Sequence, residues 1–304
     1  MSREAVAAEL HAAETGALLE VRADLGTLRI SGKDRVSWLN GVVTQELASK
    51  RPGDAALALC VQRTGKLLTE VWLVFEADCV WLAAPRHGIE ALAQHLDRHL
   101  VMEDVELEDA SATRAWLALH GPRGAEVAQA ALSATEAAHG TVDLTGLGGA
   151  VTCARSDELE AVVGALTRAG AVASTANGLA QLFVERGAGQ FGVDYGESHY
   201  PQEASVERRA VSFQKGCYLG QEAVFMLEAR GRAKQRLRAI TISGEGEVQP
   251  GALLFDEASA EAGKVTRCAP FARDGERPAL AFVKHKHLEG ESPLRVEGRA
   301  SKLA

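Results

Sequence analysis

Hydrophobic and polar positions follow two periods along this chain, and the switches between them mark its elements. Ser2–Ala13 reads as a short helix, and strand-like runs follow at Ala17–Arg22 and Thr27–Ser31. Lys33–Asn40 returns to helical spacing, with Val36, Leu39 and Val43 on one face. Ala55–Val61 and Leu67–Phe75 flank Gln62-Arg63-Thr64-Gly65, which predicts a β-hairpin, and Val80–Ala84 adds a strand. Arg86–Leu100 sets Ile89, Leu92, Ala93, Leu96 and Leu100 on one face of a helix. Ala115–His120 predicts a strand running into Gly121-Pro122, where proline suits the first turn of a helix. Thr141–Leu144 and Ala150–Ala154 bracket a glycine-rich turn. Leu159, Val162, Val163 and Leu166 then mark a helix with Ser156 or Asp157 as its N-cap.

No regular β-α-β-α alternation emerges, so the class is α+β and not a doubly wound nucleotide fold. Gly146-Leu147-Gly148-Gly149 and Thr64-Gly65-Lys66 lack the spacing of a phosphate loop and read as turns. After about Gly231 the pattern changes. Short apolar runs at Leu237–Ile242, Ala252–Phe255, Val265–Ala269, Leu280–Val283 and Leu294–Val296 are punctuated by Gly and Pro, which predicts a small β-barrel or sandwich.

Length and composition narrow the class of protein. At 304 residues the chain exceeds one ordinary core, and 46% hydrophobic with 24% charged residues describes a globular protein. No stretch reaches about 18 uninterrupted apolar residues, so no membrane span is expected. Glu4, Glu9, His11 and Glu14 exclude a signal peptide's apolar core from Met1–Leu19. Cys60, Cys79, Cys153, Cys217 and Cys268 are odd in number, scattered and free of any C-x-x-C pair. That argues against a disulfide framework and a protein-only zinc or cluster site, and it fits a reducing cytoplasm; no metal ligands are assigned. The net charge of −8 argues against nucleic-acid coating. Yet Glu207–Arg238 holds eight Lys/Arg against three Glu, a local balance of +5.

Cys217 lies inside that positive segment, in Phe213-Gln214-Lys215-Gly216-Cys217-Tyr218-Leu219-Gly220-Gln221-Glu222-Ala223. Gly216 and Gly220 permit close backbone approach. From Leu219 to about Arg230 the sequence is helix-compatible, which puts Cys217 at or just before a helix N-terminus. Unpaired amides there, with Lys215 and the arginines, would favour a thiolate able to act as nucleophile or ligand. A buried structural cysteine is the competing interpretation.

Lys-Gly-Cys-Tyr-Leu-Gly-Gln-Glu, residues 215–222, resembles the signature of the YgfZ family, a branch of the folate-binding superfamily that contains the glycine-cleavage T-protein. The resemblance extends through Val184-Glu185-Arg186-Gly187, Gly192-Val193-Asp194, Tyr200-Pro201-Gln202-Glu203-Ala204 and Arg230-Gly231-Arg232. Weaker likeness spans Ile30–Asp34, Trp38–Gly41, Gly65-Lys66, His120–Pro122, Gly263–Thr266 and Ala279–Val283. It implies a three-domain arrangement around a central channel, with two interleaved α+β folate-binding domains over 1–230 and a C-terminal β-barrel over 231–304. It also implies tetrahydrofolate as ligand and a role in assembling or maintaining 4Fe–4S enzymes, including tRNA-modifying ones. Partners would then be folate and iron–sulfur client enzymes, without membrane or stable nucleic-acid binding, for a monomer. On this likeness Cys217, Lys215 and Tyr218 carry the chemistry. Glu185, Asp194, Gly216, Gly220, Gln221, Glu222 and Arg230 contact folate, with Glu185 at the pterin and the basic segment at its carboxylate tail.

The alternative function is a folate-dependent aminomethyl transferase. Four departures argue against it: Phe183 where the T-protein branch reads Arg in Arg-x-Glu-x-Gly, Glu70 where that branch has a catalytic Asp, and Leu25 and Leu179 where some bacterial relatives place Trp. Trp38, Trp72, Trp81 and Trp116 read as core. Lys284-His285-Lys286-His287 reads as a solvated strand end, and Ser301-Lys302-Leu303 is not a terminal address.

Overall fold

The computed structural model describes residues 2–231, 233–289 and 293–304; Arg232 of the Arg-Gly-Arg run lies outside them. In chain order the first half runs α1 (Arg3–Thr15), β1 (Leu18–Arg22), β2 (Leu25–Ser31), α2 (Arg35–Val42), β3 (Ala55–Val61), β4 (Leu67–Phe75), β5 (Cys79–Pro85), α3 (Ile89–Asp97), β6 (Glu106–Asp109) and β7 (Arg114–His120). It continues with α4 (Gly124–Leu132), β8 (Ala138–Thr141), β9 (Gly149–Arg155), α5 (Leu159–Arg168), β10 (Val172–Ala173) and α6 (Ala176–Glu185). Two short helices follow, α7 (Glu207–Ala210) and α8 (Gln221–Arg230). The remainder is β11 (Gln235–Ser243), β12 (Leu253–Phe255), β13 (Glu261–Cys268), β14 (Glu276–Lys284), β15 (Leu294–Val296) and β16 (Arg299–Leu303).

These strands make two five-stranded sheets and one closed barrel. The first sheet has the order β10-β1-β7-β9-β8, the second β3-β4-β5-β2-β6, and the barrel β11-β14-β13-β12-β15-β16. Strand β1 therefore belongs with β7–β10, while its neighbour β2 opens the other sheet. Along β3 the period-2 alternation sorts side chains cleanly: Leu57, Leu59 and Val61 enter a core shared by both sheets, and Ala56, Ala58 and Cys60 face α2 and α3. Both faces are apolar because both are covered, which is why β3 reads as an unbroken hydrophobic run. The first sheet repeats the arrangement under α4 and α5, with Val162 and Leu166 packed beneath. The shared core also takes Val184, Val206, Val211, Tyr218 and Val224 from the chain between α6 and α8, and Leu237, Leu280 and Phe282 from the barrel. Trp116 and Trp72 meet edge to face across the sheets, with ring centroids 6.4 Å apart. All four tryptophans are buried, although Trp72 also faces a cavity described below.

Several expected boundaries move for local reasons. The Arg86–Leu100 helix narrows to Ile89–Asp97, because Pro85 and Gly88 leave a single 3-10 turn ahead of it. The helix after Gly121-Pro122 begins at Gly124. A 3-10 turn over Ser156–Glu158 replaces the Ser156 or Asp157 cap. The Thr141–Leu144 strand is displaced to Ala138–Thr141, where a Cβ on Gly140 would fall 2.6 Å from the Asp54 carbonyl carbon. Strand β16, polar in sequence, closes the barrel by pairing with β11 and β15. At the strand end 284–287, His287 is buried beside Asp256 instead of solvated. No helix among the described residues is long and apolar enough to cross a membrane.

Candidate functional site

A cavity of about 200 Å³ opens between the two sheets and the chain that crosses them after α6. Arg22, Leu25, Leu57, Glu70, Trp72 and Phe183 line it, together with residues 189–193 and Arg209. Three of the four departures named above, Leu25, Glu70 and Phe183, therefore converge here. Leu179 is the exception and packs with Leu147 and Phe271 against α1.

The polar groups of this cavity are held from behind. The Glu70 carboxylate accepts a 2.5 Å hydrogen bond from the Tyr195 hydroxyl and a longer one, 3.4 Å, from Trp72 Nε1. Burial and the Glu70 charge hold the Tyr195 hydroxyl pKa well above its usual value. The Arg22 guanidinium makes a two-point contact with Asp24, at 2.8 and 2.7 Å, and stacks over Trp72 at 4.9 Å. That pairing holds the Asp24 carboxyl below its usual range. Glu20, 3.6 Å from Arg22, is buried with His120, whose Nε2 lies 2.8 Å from it. Arg209 donates to the Leu144 and Gly189 carbonyls, tying α7 to the cavity rim. The sequence reading missed Arg22, Trp72 and Arg209. The signal in the sequence was the departures at Leu25, Glu70 and Phe183, and the fold brings these three to the cavity.

The signature residues lie elsewhere and none of them lines this cavity. Cys217 is exposed at the surface turn ahead of α8, the only exposed member of the five free cysteines. It stands four residues before Gln221, so the helix begins later than Leu219. Lys215 is buried, and its Nζ donates to the Asn40, Val43 and Gln45 carbonyls at 2.6, 2.9 and 2.7 Å. Tyr218 is buried in the shared core with no partner for its hydroxyl, and burial pushes that hydroxyl pKa up. Gln221 Oε1 accepts from the Tyr218 amide, which closes the turn, and Glu222 is exposed. Gly220 has φ +77°, and a Cβ there would lie 2.3 Å from the Gln62 carbonyl oxygen. Across the same contact a Cβ on Gly65 would lie 2.7 Å from Ala223 Cβ. Both glycines are thus needed for the β3–β4 hairpin tip to dock on the start of α8. Gly216, by contrast, has open space around it.

The remaining assigned residues scatter for identifiable reasons. Glu185 and Phe183 are two positions apart on α6, so they leave the helix in nearly opposite directions. Phe183 enters the cavity, whereas Glu185 pairs with Arg273 at 2.8 Å and accepts from Gln181 at 2.6 Å. Glu185 therefore does not line this cavity. Asp194 is fully engaged by Arg267, Thr266 and the Gln190 amide, which fastens the 189–194 loop to the barrel. The positive segment is not one patch. Arg236 pairs with buried Glu207, while Arg230 and Lys234 line a surface groove with Lys66, Tyr200 and Met226. Among the described residues, Glu76, Asp78 and Cys79 bring ligand-type atoms together, but Arg29 engages Asp78 and Trp81 Nε1 engages Glu76.

A double-sheet α+β body with a barrel behind a pre-organised cavity defines the class of protein, and the comparisons with known proteins agree with it. The family model described as the GCVT N-terminal domain matches residues 2–156. The chain belongs to that family. A tRNA-modifying protein YgfZ of Vibrio vulnificus is 25% identical over 296 residues, covering 92% of this chain and 88% of that one. A mitochondrial aminomethyltransferase of Gallus gallus is 27% identical over 327 residues, covering 95% and 80% respectively. The solved structure of the glycine cleavage system aminomethyltransferase T from Bartonella henselae superposes with a TM-score of 0.80 at 17% identity, over 98% of this chain and 88% of that one. The 215–222 signature and these likenesses together support the YgfZ branch within the T-protein superfamily.

Proposed function

We propose that the protein binds a reduced folate in the inter-sheet cavity and, through Cys217, supports the assembly or maintenance of 4Fe–4S enzymes, tRNA-modifying ones among them. The observation that carries the reading is the isolation of Cys217: one exposed thiol at the tip of the signature turn, with the other four cysteines buried or half-buried. An exposed thiol can reach a partner enzyme or its cluster; a thiol inside a core cannot. All five cysteines are free, which supports the expectation of a reducing compartment.

The cavity residues fit a reduced pterin. Trp72, Phe183 and Phe191 supply aromatic walls. A carboxylate offers about four acceptor sites, and Tyr195 and Trp72 occupy two of Glu70's, leaving capacity for the N–H edge of a ring. Arg209, bound only to carbonyls, adds positive charge for an acidic tail, whereas Arg22 is already paired with Asp24. A bound tetrahydrofolate would contribute a carrier for one-carbon units. The chain's own part is to orient the ring through Glu70 and to shield it between the sheets.

Two measurements test the two halves separately. Calorimetry with tetrahydrofolate should show saturable binding that weakens at high salt; no heat at millimolar ligand removes the folate half. Complementation of a bacterium lacking its YgfZ protein should succeed with the wild type and fail with Cys217→Ala. Full rescue by that variant removes the thiol half.

A further inference from the structure

Among the described residues, no carboxylate touches the positive charge of Lys215. An ammonium has three N–H donors and no acceptor, and here all three donors are used on backbone carbonyls: Asn40 at 2.6 Å, Val43 at 2.9 Å and Gln45 at 2.7 Å. The residue is 8% exposed. The cage is the C-terminal end of α2, where Asn40 lies in the last turn and Val43 is the C-cap. Helix ends leave such carbonyls without partners and carry partial negative charge, so a cation is the group that satisfies them. Burial pushes the Lys215 ammonium down to about 8, opposed by the field of Glu46, which leaves it charged at neutral pH.

The cage belongs to a longer seam. The Leu219 amide donates to the Gly41 carbonyl at 3.1 Å, and the Ser212 amide to the Thr44 carbonyl at 3.0 Å. Thr44 Oγ1 donates to the Ala210 carbonyl at 2.6 Å, and the Lys215 ammonium lies 5.3 Å from the Tyr218 ring centroid. Residues 210–219 are therefore stitched along 40–45, and the exposed pair Gly216 and Cys217 is the span between two stitches, the Lys215 side chain and the Leu219 amide.

We propose that Lys215 is a positioning residue: its ammonium plugs the carbonyl end of α2 and pins the 215–219 turn, so that the Cys217 thiol is presented at a fixed place on the surface. This deepens the reading of Cys217 given above and takes its purpose from it. The alternative use of the same lysine, as a charge that activates the thiol directly, predicts different behaviour.

The test is Lys215→Ala, which removes the atoms of propylammonium. Amide hydrogen exchange at Leu219 should speed up by about tenfold or more, and millimolar propylammonium chloride should restore its protection by refilling the cage. The pH midpoint of Cys217 alkylation should stay where it is in the wild type. Unchanged Leu219 exchange with a raised alkylation midpoint would overturn the proposal in favour of direct activation. The exchange measurement does not depend on cellular activity, so it stands or falls apart from the complementation result. If Lys215→Ala does not fold, acetic anhydride labelling of the wild type decides: Lys215 should react about tenfold or more slowly than Lys33, whose side chain is 76% exposed. Equal rates would remove the plug.

Discussion

Tyr195 donates a 2.5 Å hydrogen bond to Glu70, and this contact joins the chain after α6 to the middle of β4 at the cavity wall. The folded state raises the Tyr195 hydroxyl pKa well above 10, by burial first and then by the Glu70 charge. The folded chain thus keeps a proton that the unfolded chain loses near pH 10. Its stabilising effect is full below that pH and declines as pH rises beyond it. Urea midpoints should fall between about pH 9 and about pH 11, and Tyr195→Phe should reduce the fall. Part of it should persist, because burial also raises Tyr218. A wild-type midpoint that stays level over that range would contradict the expectation.

Glu70 and Glu185 should separate cleanly in folate binding. Glu70→Gln removes a charged acceptor from the cavity and should weaken tetrahydrofolate by roughly 10- to 100-fold, the equivalent of about 1.5–3 kcal/mol. Glu185→Gln breaks a pair with Arg273 outside the cavity and should change the Kd by less than about threefold. Titration calorimetry on both variants reads this directly, and the reverse ranking would move the site to α6's other face.

The glycines of the signature should behave oppositely. Gly220→Ala meets both a left-handed backbone and the Gln62 carbonyl, and should cost about 1–3 kcal/mol, lowering Tm by several degrees. Gly65→Ala should act similarly through Ala223. Gly216→Ala enters open space and should leave Tm within about 1 °C. Scanning calorimetry of the three variants would show whether the hairpin–helix contact has the stated importance.

Native alkylation should label a single site. Burial pushes the Cys60 and Cys79 thiols up to about 12 and raises those of Cys153 and Cys268 as well. Iodoacetamide at neutral pH should therefore add one group per folded chain, at Cys217, and five after denaturation. Mass spectrometry showing rapid native labelling at a second cysteine would contradict the burial pattern.

What the sequence by itself determined is local. Apolar runs placed β3 and β4 at their observed limits, since β3, covered on both faces, stays apolar throughout, and the polar stretch Gln62–Lys66 separates it sharply from β4. The signature pointed to Cys217 because its glycines and charges are contiguous in the chain. Other features depend on partners distant in sequence. Strand β8 hides behind Gly140, which has no side chain to show a period, and β16 becomes a strand by closing a barrel. Arg22, Glu70, Phe183 and Arg209 are spread over most of the chain, and only the packing of two sheets brings them to one cavity. The ammonium of Lys215 could be read as an activator of its neighbour until the fold supplied three carbonyls from α2 and its exit. A backbone carbonyl leaves no trace in residue type, so the groups that decide where this lysine points are invisible until the tertiary structure brings them within hydrogen-bonding distance.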